Sequence, residues 1–377
     1  MSSSNRFLPL AAPGLRGLAP YVPGKPPETL ERELGIRGSI KLASNENPLG
    51  PGRHSRAALS AAIANVGHYP DGSGHGLRAR IAHRHAVDIS QVTLGNGSNE
   101  ILVMLAEAFL VPGVEAVHSQ YAFAVYPSAI QASGATGRAA PAWPSAHAQP
   151  LGHDPDTLVA AIGAKTRMLF VANPNNPTGT WLDDRQLDAL LRAVPPEVIV
   201  VLDEAYHEYS APCGVPDGTE WLDRHPNLVV TRTFSKAYGL AGLRVGYAIS
   251  HPDLADVLNR IRQPFNVSVP ALAAAAAAID DHEHLERTIA LNRTGIARLR
   301  EGLAGLGVGA PPSAGNFVLA DFGRAARPID QALLREGVIV RPLENYGLPN
   351  HLRISTGTAE QVERLLGAMA IAIAATA

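Results

Sequence analysis

"RMLFVANPNNPTGTWLDDRQLDALLRAVPPEVIVVLDEAY", residues 167–206, holds two apolar runs with an amphipathic pattern between them. The runs "RMLFVA" (167–172) and "EVIVVLDEAY" (197–206) do not alternate and are bounded by turn residues, the pattern of strands buried on both faces and hence of a parallel sheet. Between them "DDRQLDALLRAV" places Leu187, Leu190, Leu191 and Val194 on one helical face behind an aspartate cap. Strand, helix and strand make a βαβ crossover, and "NLVVTRTF" (227–234) supplies a further strand.

Working outward, residues 1–45 are rich in Pro and Gly with little periodicity, and read as an arm lying on other structure. From 46 to 268 short apolar runs alternate with helical patterns, giving a large domain. Beyond it, residues 269–377 begin with one long alanine-rich helical pattern to about Leu306. "GNFVLADF", "GVIVRPL" and "HLRISTG" then read as strands, with a helix between, in a smaller α+β domain. The fold expected is α/β: a mostly parallel sheet flanked by helices, plus the smaller domain.

Composition narrows the partners. A net charge of −2 over 377 residues, without runs of like charge, argues against a nucleic-acid surface. Cys213 is the single cysteine, which excludes intramolecular disulfides and cysteine-built zinc sites and suits a reducing, cytoplasmic setting. The apolar stretch 271–279 is too short to cross a bilayer, and prolines interrupt the amino terminus as a signal peptide, so no membrane role is expected. The pairs in "HRH" (83–85) and "HEH" (282–284) diverge on a helix and fit solvated faces better than a metal site.

In an open α/β sheet, ligands bind outside the carboxyl ends of the strands. Four polar groups fall there: "NPNNPTG" (173–179), Asp203 with Tyr206, Ser235 with Lys236, and the glycine turn before Ser98 and Asn99. The last would turn helix N–H groups toward an anion, but Glu100 stands where a dinucleotide fingerprint needs its third glycine. A lysine, an aspartate, an asparagine, a tyrosine and a phosphate cradle together suit pyridoxal phosphate, whose aldehyde needs an amine and whose ring nitrogen needs a carboxylate.

The motifs "PYVPGK", "LASNENPLGP", "YPDGSG", "GNGSNE", "NPNNPTG", "DEAYHEY", "RTFSKAYGLAGLRVGY", "RQPFNV", "SAGNF" and "HLRIS" run nearly end to end. In them the chain resembles the histidinol-phosphate aminotransferase family of fold type I pyridoxal-phosphate enzymes. The resemblance implies that Lys236 carries the cofactor aldehyde as an imine and later moves the substrate proton. It implies that Asp203 pairs with the ring nitrogen and that Asn176 and Tyr206 hold the phenolic oxygen. Ser98, Asn99, Ser235 and Arg244 would hold the phosphate, and Tyr121 would stack on the ring. It also implies a homodimer in which Tyr69 reaches the neighbouring subunit's cofactor phosphate. Tyr21, Arg341 and Arg353, with Asn45 nearby, would receive the phosphate of histidinol phosphate or the carboxylates of glutamate and 2-oxoglutarate, a task suited to guanidinium forks.

Within this fold an aromatic amino-acid aminotransferase or a threonine-phosphate decarboxylase would keep the whole cofactor set, separable by amino-acceptor activity and CO₂ release. The absent third glycine argues against a nicotinamide-dependent dehydrogenase, and the complete set from Asp203 to Arg244 against a non-catalytic module.

Overall fold

The structure, a computed structural model, describes residues 5–20 and 24–376. The arm is more ordered than its composition suggests. Pro27, in the first turn where a missing N–H costs nothing, opens α1 (Pro27–Leu34), and Gly35 ends it with a left-handed φ of 67°. The short strand β1 (Ile40–Lys41) follows. After α2 (Arg53–Ala62) and α3 (His75–His85), the chain enters a seven-stranded sheet. Its elements run β2 (Val92–Gly95), α4 (Ser98–Phe109), β3 (Glu115–Ser119), α5 (Val125–Ser133), β4 (Thr136–Ala140), α6 (Pro155–Ala160) and β5 (Thr166–Ala172). They continue through α7 (Asp184–Ala193), β6 (Ile199–Asp203), α8 (His207–Ser210), β7 (Leu228–Thr233), β8 (Gly246–Ser250) and α9 (Pro252–Ile261).

The strand order is β2-β8-β7-β6-β5-β3-β4, and β8 alone runs against its neighbours. The absence of alternation in "RMLFVA" has a direct cause. Met168, Phe170 and Ala172 enter a core shared with Ile101, Leu105 and Ile130, while Leu169 and Val171 enter another shared with Leu187, Leu190 and Leu191. Both faces are apolar because both are covered. The helix between β5 and β6 starts as expected: Asp183 accepts from Gln186 N, and the Gln186 side chain reciprocates.

The alanine-rich pattern is two helices, α10 (Val269–Ala278) and α11 (His282–Gly305), not one. Asp281 makes the break, its side chain accepting from His284 N to start α11. Ala271, Ala274, Ala275 and Ala278 recur at helical spacing and pack in the core beneath the large sheet, so α10 lies with that sheet although it follows residue 268. α10 also packs against α2.

The remainder comprises β9 (Phe317–Asp321), α12 (Arg327–Arg335), β10 (Val338–Ile339), β11 (Arg341–Pro342), β12 (His351–Ser355) and α13 (Ala359–Ala375). β11, β12 and β9 form an antiparallel sheet over a core that includes Leu299, Leu333, Leu365 and Met369. "GVIVRPL" is therefore divided: β10 pairs in parallel with β1 of the arm, and β11 pairs with β12. Leu42 N donates to Ile339 O and Leu42 O accepts from Ser355 N, both at 2.8 Å, so the arm is laced between the two. Among the described residues no helix is long and apolar enough to cross a membrane.

Candidate active site

The carboxyl ends of β2, β5, β6 and β7 open on a cavity of about 420 Å³, closed on its far side by the arm and by β11 and β12. Ser235 and Lys236 follow β7 onto its floor. Lys236 Nζ donates to the carbonyl of Ser44 at 3.0 Å. Withdrawal from water, and then the positive charge of Arg353, bring its ammonium down to about 8, so a free amine is accessible near neutral pH.

Asp203 ends β6 and is 5 % exposed. Its Oδ2 accepts from the Tyr126 hydroxyl at 2.8 Å, and its Oδ1 from Ala205 N at 3.2 Å and Thr231 Oγ1 at 3.3 Å. Burial raises its carboxyl above the usual range, and these hydrogen bonds oppose the rise. Tyr206 stands three residues on, its hydroxyl accepting from Asn45 Nδ2 at 2.8 Å and Asn176 Nδ2 at 3.3 Å. Burial pushes this phenol up to about 12, so it remains a neutral donor. Arg353 extends the chain of contacts, donating to Asn176 Oδ1 and to Ala43 O, each at 2.6 Å, above the ring of Phe317. Arg341 is its register partner on β11, so both guanidinium side chains leave one face of that sheet and line the cavity.

An anion cradle lies at the other end. Gly97 precedes α4 with φ of 77°, and a Cβ there would collide with the Arg244 guanidinium. Its absence lets Arg244 approach Ser98 and Asn99 at the helix N-terminus, where unpaired N–H groups and the helix dipole favour an anion. Arg244 Nη1 also donates to Ser235 Oγ at 3.2 Å. Glu100 is turned aside: its Oε2 accepts from Asn96 N at 2.5 Å and Asn266 Nδ2 at 2.6 Å.

The family model for class I and II aminotransferases matches residues 37–369. The chain belongs to this family. It is 56% identical over 367 residues to histidinol-phosphate aminotransferase 2 of Pseudomonas aeruginosa, covering 96% of this chain and 97% of the relative. It is 53% identical over 360 residues to histidinol-phosphate aminotransferase 2 of Methylococcus capsulatus, covering 96% and 97%. A crystal structure of histidinol-phosphate aminotransferase from Sinorhizobium meliloti in complex with pyridoxal-5'-phosphate superposes with a TM-score of 0.89 at 29% identity over the whole of both chains.

This aminotransferase has a cavity whose polar groups suit that cofactor: an amine of lowered basicity, a buried carboxylate, two donors or acceptors beside it, and a cradle emptied by glycine, with Arg341 and Arg353 left over on the opposite wall. The expected residues Asn45, Ser98, Asn99, Asn176, Asp203, Tyr206, Ser235, Lys236, Arg244, Arg341 and Arg353 all line it. Tyr121 does not. It packs with Leu319, Leu343 and Leu348, and Phe123 faces the cavity instead. "YAFAVY" offers aromatic rings in several registers, and only the start of α5 at Val125 selects between them. Tyr69 is 81 % exposed and stacks on Phe265 with ring centroids 4.6 Å apart, outside the cavity of its own chain. Tyr21 lies outside the described residues.

One histidine departs from the expected solvated faces, and one acidic group is new. His85 is not solvated; it packs on Tyr247, 3.0 Å from its hydroxyl, and burial lowers it to about 3. Glu204, His207 and Asp217 converge closely enough to hold a cation, but Arg232 already occupies them, donating to Glu204 Oε2 at 2.7 Å and Asp217 Oδ1 at 2.5 Å. Sequence reasoning missed Tyr126, Thr231, Phe123 and this ion cluster. An acid directly after Asp203 and an arginine directly after Thr231 were the available signal for the cluster.

Proposed function

We propose that the chain transfers the amino group of L-histidinol phosphate to 2-oxoglutarate, giving imidazole-acetol phosphate and L-glutamate in histidine biosynthesis, with pyridoxal 5'-phosphate as cofactor. The observation that carries the reading is the adjacent pair Arg341 and Arg353 on the wall of the cavity that holds Lys236, suited to a phosphate dianion in one half-reaction and carboxylates in the other. Two relatives more than half identical that bear this name support it. In a panel of donors with 2-oxoglutarate, histidinol phosphate is expected to give the highest kcat/KM. Preference for phenylalanine or tyrosine would make it an aromatic aminotransferase, and CO₂ release from threonine phosphate a decarboxylase. The absence of cysteine pairs supports a cytoplasmic setting.

Bound pyridoxal phosphate supplies an aldehyde and a ring that draws electrons from substrate Cα. Lys236 would hold that aldehyde covalently until the substrate amine displaces it, and its freed amine would then take the Cα proton and return it one atom away. Asp203 would keep a proton on the ring nitrogen, its anion stabilised by the positive charge it faces. Tyr206 and Asn176 would fix the phenolic oxygen, Phe123 would cover the ring face, and Ser98, Asn99, Ser235 and Arg244 would hold the phosphate. Asn45 would steady Tyr206, through the 2.8 Å bond between them, beside the substrate end of the cavity.

We also propose a homodimer with shared sites. Ile63, Val66, Tyr69 and Phe265 are 44–81 % exposed, an apolar set that a second copy would cover while bringing Tyr69 to the partner's cofactor phosphate. Mixing Lys236→Ala with Tyr69→Ala then creates dimers in which one site has both lesions and the other has none. After random subunit exchange activity is expected to recover to about a quarter of wild type, because half the dimers mix and half their sites are whole. No recovery despite demonstrated exchange would leave Tyr69 serving only its own chain.

A further inference from the structure

We infer that Tyr126 is a positioning residue for this reaction, orienting the Asp203 carboxylate and holding it anionic toward the cofactor ring. The inference rests on the pyridoxal phosphate reading. Tyr126 is the second residue of α5 and is fully buried, 0 % exposed. Its ring is stacked on Phe170, with centroids 4.9 Å apart and planes 15° from parallel, and meets Phe123 edge-on at 5.8 Å. A ring held on two sides gives its hydroxyl one direction, and in that direction lies Asp203 Oδ2 at 2.8 Å.

The other bonds to Asp203, from Ala205 N at 3.2 Å and Thr231 Oγ1 at 3.3 Å, are longer and converge on Oδ1. Tyr126 therefore fixes the plane of the carboxylate, and it is the largest of the influences opposing the rise that burial imposes on Asp203. Its own phenol is pushed well above the ordinary range by burial and by the Asp203 charge, so it acts as a donor and never as a competing anion. Tyr126 does not line the cavity, so its effect passes through Asp203. Without it a buried carboxylate retains only two long bonds and takes up a proton more readily, leaving a pyridine nitrogen without its ionic partner.

Tyr126→Phe keeps the ring and its packing while removing the donor. The test compares the dissociation constants of apoprotein for two probes: pyridoxal phosphate, and its analogue with the ring nitrogen replaced by C–H, which places no demand on the Asp203 charge. The variant is expected to bind pyridoxal phosphate about tenfold more weakly and the analogue within about twofold of wild type, the loss of a hydrogen bond to a charged group felt only where that charge is used. Equal weakening for both probes would reduce Tyr126 to a packing residue, and equal retention of both would leave it without a role. Failure of the wild-type apoprotein itself to capture pyridoxal phosphate would overturn the cofactor reading and this inference together.

Discussion

Lys236→Ala is expected to lower turnover by about 10²- to 10⁴-fold through loss of the proton-transferring base alone, with loss of the covalent hold on the cofactor added to it. The variant is expected to keep the cofactor non-covalently, because the cradle of Ser98, Asn99 and Arg244 does not involve the lysine amine. Two measurements separate the effects. Borohydride should fix cofactor to the wild-type chain and not to the variant. Capture of the aldehyde by wild-type apoprotein should quicken as pH rises toward about 8 and level off above it, because only the unprotonated amine attacks and the ammonium of Lys236 is lowered to about that value. Turnover near wild type in Lys236→Ala would refute the assignment.

Asp203→Asn is expected to cost about 10²- to 10³-fold in turnover, the range for removing a preorganised charge from a developing transition state. The shape of the side chain is kept, so the cavity should still bind the cofactor. Stability should respond in the opposite sense. A carboxyl whose folded pKa is raised by burial penalises the native state as pH rises through the unfolded value, so the cofactor-free Asn variant should melt no lower than wild type at neutral pH. A calorimetric scan of both apoproteins checks this. A variant that loses activity and also melts well below wild type would make Asp203 a structural residue first.

The central sheet was legible because its strands are buried on both faces: "RMLFVA" and "EVIVVL" have no polar alternation, which a half-exposed strand would need. The residues that emerge directly from those strands, Asp203 and Lys236, were legible for the same reason, since the end of an apolar run fixes where the next polar side chain stands. What was not legible depends on packing between segments distant in sequence. Tyr126 reaches Asp203 only because Phe170 and Phe123 fix its ring. The resemblance implies Tyr121 at the ring face, whereas Phe123 lines the cavity, and local sequence does not say which aromatic of "YAFAVY" turns inward. The break at Asp281 was hidden by alanines that suit a helix on either side of it.

The division of "GVIVRPL" between two sheets has a consequence for how the molecule is made. Ala43 accepts from Arg353 across a separation of 310 residues, and Leu42 is bonded to both Ile339 and Ser355. Residues 42 and 43 thus find these partners only after the strands of the large sheet have been synthesised. Until then Arg341 and Arg353 do not exist as a pair. A nascent chain released before residue 341 would carry Lys236, Asp203 and the residues of the anion cradle, but neither Arg341 nor Arg353. Arg353 meets Ala43 only once β12 is made, and the arm is the thread that ties the two.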